Sequence, residues 1–89
     1  MKRMVVHCQK EPYDVLIDRR TKWGNPFFIG SHGTRAEVIA KYEKYIRENL
    51  VLMAALPELK GKVLGCWCAP QPCHGNILRK LLVEQGIEE

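Results

Sequence analysis

A small single-domain α/β fold, Rossmann-like, with three layers around a short and mainly parallel central sheet, is what the sequence predicts. Three observations predict it. An apolar, β-branched run stands at Met4–Cys8 (MVVHC), a capped amphipathic helix begins at Thr34, and a second apolar run at Lys62–Cys68 (KVLGCWC) leads into a last helix. Strand, crossover helix and strand make a βαβ unit, whose two strands lie parallel in one sheet. The first and last strands are therefore expected side by side at the centre. Eighty-nine residues have room for one core, so residues 1–89 are read as one domain.

Each element has its own signal. MVVHC is too short for a helix and nearly continuous in apolar character, which suits a strand buried on both faces. Tyr13–Ile17 (YDVLI) reads as a second strand. The next stretch, Asp18–Gly33 (DRRTKWGNPFFIGSHG), holds three glycines and a proline, and is expected to be a long structured loop with a short strand at Phe27–Ile29. Thr34 is a good N-cap, Glu37 completes a capping box, and Val38, Ile39, Tyr42, Tyr45, Ile46 and Leu50 follow at helical spacing. From Val51 to Leu56 the pattern changes phase and stops before Pro57, which predicts a kink or a second short helix. Gly61 turns the chain into the Lys62–Cys68 strand, and Ile77, Leu78, Leu81 and Leu82 mark a final helix that ends at Gly86.

Composition narrows the function classes. No apolar run approaches the roughly 20 residues that span a bilayer, and the apolar stretch near the N-terminus is too short for a signal-peptide core. A cytoplasmic protein is expected, with no membrane partner. Thiols in that compartment stay reduced, so the four cysteines point to metal binding or thiol chemistry before disulfides. A net charge of +4 favours contact with phosphates. No dense basic tract, RNA-recognition aromatic motif, Walker loop or dinucleotide fingerprint accompanies it.

Two stretches carry chemistry. In GCWCAPQPCHG, Gly65–Gly75, strand alternation puts Cys66 and Cys68 on one face and Trp67 on the other. Folding back over the prolines, Cys73 and His74 can join Cys66 and Cys68 in a Cys3His zinc set, with Cys8 as a substitute fourth ligand. In a second reading, Cys73 and His74 stand at a helix N-terminus that favours an anion and a thiolate, with Cys73 as nucleophile and His74 as base or phosphate contact. In a third, Cys66 and Cys68 are small buried hydrophobes and His74 merely completes the turn. The other stretch is DRRTKWGNPF, Asp18–Phe27. Arg19, Arg20 and Lys22 are candidates to hold phosphate, Trp23 to stack on a base, Gly24 to give flexibility, and Asn25 to bond a base edge or ribose. The alternative is a loop whose Trp23 and Phe27 plug the core, with Gly24 at a positive φ. His7 and His32 stand alone and are read as structural or surface residues.

The chain also resembles domain-of-unknown-function family 4326, found in bacterial and phage genomes. The resemblance is carried by KEPYDVLIDR and KWGNPF, then GTRAEVIAKY, then LPELKGKVLGCWCAPQPCHGNIL, in that order. It implies a compact α/β domain in which loop and turn share one site. It would place signature roles on Arg19, Trp23, Gly24, Asn25, Pro26, Cys66, Cys68, Pro70, Cys73 and His74, and it brings in Asn76, where many relatives carry an acid. The resemblance implies no activity.

The expectation is thus a domain that binds a nucleotide or another phosphorylated ligand, nucleic acid included, between the KWGNP loop and the PCHG helix start. Arg19, Lys22, Trp23, Gly24, Asn25 and Asn76 would bind and Cys73 and His74 would react. The runner-up is a zinc-stabilised protein or nucleic-acid interaction module without catalysis, its metal on Cys66, Cys68, Cys73 and His74. A thiol-dependent hydrolase or transferase acting on a nucleotide-like substrate is the third.

Overall fold

Hydrophobic period and caps set the architecture, and the computed structural model describes it for residues 5–67, 71 and 73–88. In chain order the elements are β1 (Val5–His7), β2 (Val15–Leu16), α1 (Arg35–Arg47), α2 (Leu50–Ala55), a 3-10 turn (Leu56–Leu59), β3 (Leu64–Cys66) and α3 (His74–Glu84). The strands form one parallel sheet in the order β1-β3-β2. Val5 and Val15 both lie opposite Leu64, and His7 lies opposite Cys66. The mixed α/β class and the parallel sheet are as the sequence predicts. β3 alone is central, because β2 takes its second side and leaves β1 at an edge. Rossmann-like layering goes beyond what three such short strands define.

The helices form where periodicity and capping agree. Thr34 Oγ1 accepts the Glu37 amide and the Glu37 carboxylate accepts the Thr34 amide at 2.8 Å, closing the expected capping box. Val38, Tyr42 and Ile46, four apart, are the buried stripe of α1. Asn49 caps α2 by accepting the Leu52 amide, so the phase change is a second helix. α3 lies on the sheet: a Cβ at Gly75 would meet the side chains of Val5 and Ile17 at 2.8 and 2.9 Å. α1 and the 3-10 turn pack against α3. Tyr42, Ile46, Leu56, Leu59, Leu64, Leu78, Leu81 and Leu82 fill the core between them. On the opposite face of β3, the Tyr13 ring covers Gly65.

The short strand expected at Phe27–Ile29 does not form. Its backbone groups go to side chains instead of a neighbouring strand. Asn25 Oδ1 accepts the Phe27 amide at 2.9 Å, His32 Nδ1 accepts the Phe28 amide at 2.8 Å, and Arg19 donates to the Phe27 carbonyl at 2.9 Å. The segment is a side-chain-braced loop, and that bracing shapes the cleft described next.

Candidate functional site

A cleft of about 360 Å³ opens at the carboxyl ends of β2 and β3, the end of a parallel sheet where α/β domains bind ligands. Asp18, Arg19 and Arg20 follow β2 into it, Trp67 follows β3, and Asn25, Phe27 and Ile29 come from the braced loop. Two helices start there. Arg35 is the first residue of α1 and His74 the first of α3, with Cys73 as its N-cap. Both dipoles therefore bring their positive ends to the cleft. The lining carries three guanidinium groups against one carboxylate.

Asp18 is the hub of this arrangement. Its Oδ2 accepts from Arg20 Nε and Nη2 at 2.9 and 2.6 Å and from Trp67 Nε1 at 3.1 Å, and its Oδ1 accepts the Arg20 amide. The Arg20 side chain above all draws the carboxyl down to about 2. The bond to Asp18, with an edge contact to His7 at 5.8 Å, fixes the orientation of the Trp67 indole, which is 48% exposed. Arg19 lies over the Phe28 ring at 4.1 Å, its guanidinium braced on the Phe27 carbonyl.

His74 is buried, with Nε2 bonded to the Ile17 carbonyl and its ring edge to Tyr42 at 5.0 Å. A carbonyl only accepts, so Nε2 carries the proton and Nδ1 is the acceptor nitrogen of the neutral ring. Burial pushes the imidazole below the ordinary histidine range, with the Ile17 carbonyl opposing the shift. The unfolded chain therefore binds more protons than the folded one between the lowered value and about 6.5. Stability is fully present above that window and falls with pH from about 6.5 down to the folded value, by roughly 1.4 kcal/mol per unit of depression. Asp18 stays ionised throughout. Thermal melts between pH 8 and 5.5 should show this decline in the wild type and lose it in His74→Gln; parallel curves would refute it.

The structure sorts the sequence-predicted residues. Arg19, Asn25, Cys73 and His74 do line the cleft. Trp23 does not stack there: it is 2% exposed in the core, its carbonyl accepting the Tyr42 hydroxyl at 2.8 Å. Lys22 points elsewhere, paired with Glu58 at 2.8 Å and lying near the Trp23 ring. Gly24 has no positive φ; it is a point of close chain approach, where a Cβ would stand 2.5 Å from Arg19 Cα and 2.6 Å from the Asp18 carbonyl oxygen. Asn25 uses its amide internally, donating to the Val38 carbonyl while accepting from Phe27. Asn76 caps α3 by accepting the Cys73 amide at 2.9 Å. Gly24 and Asn76 stand behind the lining, and Asn25 lines the cleft with its amide committed internally. Trp67, Arg35 and Asp18 are the residues that sequence reasoning missed. Alternation had already turned Trp67 away from the Cys66 face, and that was the available signal.

For the zinc set, the Cys66 and Cys73 sulfurs lie 3.1 Å apart, and Cys68 and Pro70 lie outside the described residues. Among the described residues no three ligating side chains converge, and the Nε2 of His74 is committed to Ile17. Cys8 is held beside the end of β3 by its amide, which donates to the Cys66 carbonyl.

Fold and cleft together define a small α/β domain with a basic, aromatic-edged cleft at its strand ends. The chain belongs to the family described as domain of unknown function DUF4326, whose model matches residues 2–84. It is 37% identical over 83 residues to an uncharacterized 12.4 kDa protein of Enterobacteria phage T4 from the nrdA-td intergenic region, covering 88% of this chain and 75% of the phage protein. It is 41% identical over 69 residues to an uncharacterized protein of Acanthamoeba polyphaga mimivirus, covering 68% of this chain and 52% of that protein. The chain thus spans about half the length of the mimivirus relative. No solved structure matches it. Among the described residues no helix is long and apolar enough to cross a membrane.

Proposed function

We propose that the cleft binds a nucleotide or a closely related phosphorylated ligand, the ring against Trp67 and the phosphate between Arg19, Arg35 and the first turn of α3. One observation carries this reading: three arginines, an oriented half-exposed indole and the N-termini of two helices meet at the carboxyl end of a parallel sheet. Guanidinium groups hold phosphate oxygens in bidentate fashion, helix N-termini favour anions, and an indole face accepts any base. The apolar walls from Phe27, Ile29, Val38 and Ile39 suit the ring, and the volume lies within the range of small-ligand pockets. In this reading the Nδ1 of neutral His74 accepts a proton, or a hydrogen bond from a ligand hydroxyl, beside the Cys73 thiol. A cytoplasmic setting, that of the host for a phage-borne copy, goes with this reading.

Calorimetry against ribonucleoside mono- and diphosphates, inorganic phosphate and a short single-stranded oligonucleotide tests it. The nucleotides should bind, and Arg19→Ala should weaken them about tenfold or more, since a hydrogen bond to a charged group contributes about 1.5–3 kcal/mol. Binding as tight in Arg19→Ala as in the wild type removes that arginine from the site. No heat with any of these, together with zinc in the purified protein, would favour the metal-stabilised interaction module instead.

A further inference from the structure

We propose that Cys66 and Cys73 are a redox pair that closes reversibly into a disulfide and thereby switches the cleft. Their sulfurs lie 3.1 Å apart, one at the end of β3 and the other at the N-cap of α3. A disulfide needs about 2.05 Å between sulfurs, so a movement of about 1 Å makes the bond. Both side chains belong to the core cluster, at 1% and 3% exposure, and Cys73 alone of the two lines the cleft. Oxidant thus reaches the pair from the ligand side. The N-terminus of α3 works toward the thiolate at Cys73, the form that reacts, and offsets the burial that works against it.

With hydrogen peroxide as oxidant the chemistry balances. The Cys73 thiolate attacks the peroxide O–O bond, becoming a sulfenic acid as the leaving hydroxide takes a proton to form water. The Cys66 sulfur then attacks the sulfenic sulfur, the S–S bond forms, and the expelled hydroxide is protonated to a second water. The two thiols lose two electrons and two protons in total, and the peroxide is reduced.

Closure acts on the site through sequence neighbours. Trp67 follows Cys66 and His74 follows Cys73, and both line the cleft. Drawing the sulfurs together pulls the first turn of α3 toward the end of β3, changing the spacing between the indole and the imidazole. This control of binding rests on the nucleotide reading above, whereas formation of the disulfide does not.

The full chain, purified without reductant or chelator, is assayed for zinc, reduced, and treated with hydrogen peroxide at neutral pH. It is then alkylated and mapped by peptide mass. The expected product links Cys66 to Cys73 with loss of two hydrogens, and dithiothreitol reverses it. In Cys66→Ser the link is lost and Cys73 goes on to the sulfinic acid; the wild-type map stands even if that variant folds poorly. Wild-type protein that gives a Cys73 sulfinic acid without a link, a bridge through Cys8 or Cys68, or one zinc per chain at the start overturns the redox pair. Titration with ribonucleoside diphosphates before and after oxidation reads the switch, with binding expected to weaken about tenfold, within the usual span of coupling between sites. Equal affinities in the two states overturn the switch and leave the disulfide. A reduced protein that binds none of these nucleotides overturns the nucleotide reading, and the switch with it.

Discussion

Gly24→Ala is expected to cost about 2–3 kcal/mol of stability, the upper part of the about 1–3 kcal/mol that forcing atoms into filled space costs, and to lower the melting temperature by roughly 10–20 °C for a domain of this size. The added methyl would stand 2.5 Å from Arg19 Cα and 2.6 Å from the Asp18 carbonyl oxygen, so both obstacles are main chain and neither can rotate away. The segment it would push, residues 18 and 19, also sets the Asp18 hub and the Arg19 side chain, so the cleft should be deformed along with the fold. Gly65→Ala is the control. There the ring of Tyr13, 40% exposed, stands 2.6 Å from the added atom and can turn about χ1, while its Cβ, 3.0 Å away, moves only with the main chain. Its cost should be distinctly smaller. Thermal or urea unfolding of the two variants decides the matter, and equal losses would show that the close approach at Gly24 is not what holds the loop.

Trp67→Ala is expected to weaken nucleotide binding about 10- to 100-fold, because stacking of a base on an aromatic side chain contributes about 1–3 kcal/mol. Stability should change little, since the indole is half exposed and its bond to Asp18 is on the surface. Trp67→Phe separates the two roles of the side chain. Phenylalanine keeps a ring face but loses the N–H that orients it on Asp18, so affinity should fall between wild type and alanine. The two tryptophans also differ as reporters: Trp23 is sealed in the core and Trp67 is open. Nucleotide should quench the fluorescence of Trp67 and leave that of Trp23 unchanged. Unaltered affinity in Trp67→Ala would take the indole out of the site.

What the sequence made legible was local. Thr34 and Glu37 announce a capping box within three residues, and the structure forms it. The phase change over Val51–Leu56 announces a kink or a second short helix, and the structure decides for the helix through the Asn49 cap. The site was half legible because its parts meet across the chain. Trp23 is taken into the core by a hydroxyl 19 positions away, on Tyr42, and Lys22 is drawn aside by Glu58, 36 positions on. Neither partner is visible from the KWGNP loop itself. Trp67 follows β3 to the cleft, and its ring is oriented there by Asp18, 49 positions earlier, which accepts its N–H. Basic and aromatic residues in one loop suggested a single grip; the folded chain divides that loop, with Arg19 and Asn25 at the cleft, Trp23 in the core and Gly24 at a close approach of main chain.

The most direct test of the central claim is a titration of ¹⁵N-labelled protein with ribonucleoside diphosphates, followed residue by residue through amide shifts and the two indole N–H signals. Saturable shifts are expected at residues 18–20, 27–29, 35 and 73–74 and at the Trp67 indole, with Lys22, the Trp23 indole and the exposed Leu50–Val51 pair unmoved. Shifts gathered at Leu50–Val51, or none at millimolar nucleotide, would contradict the claim.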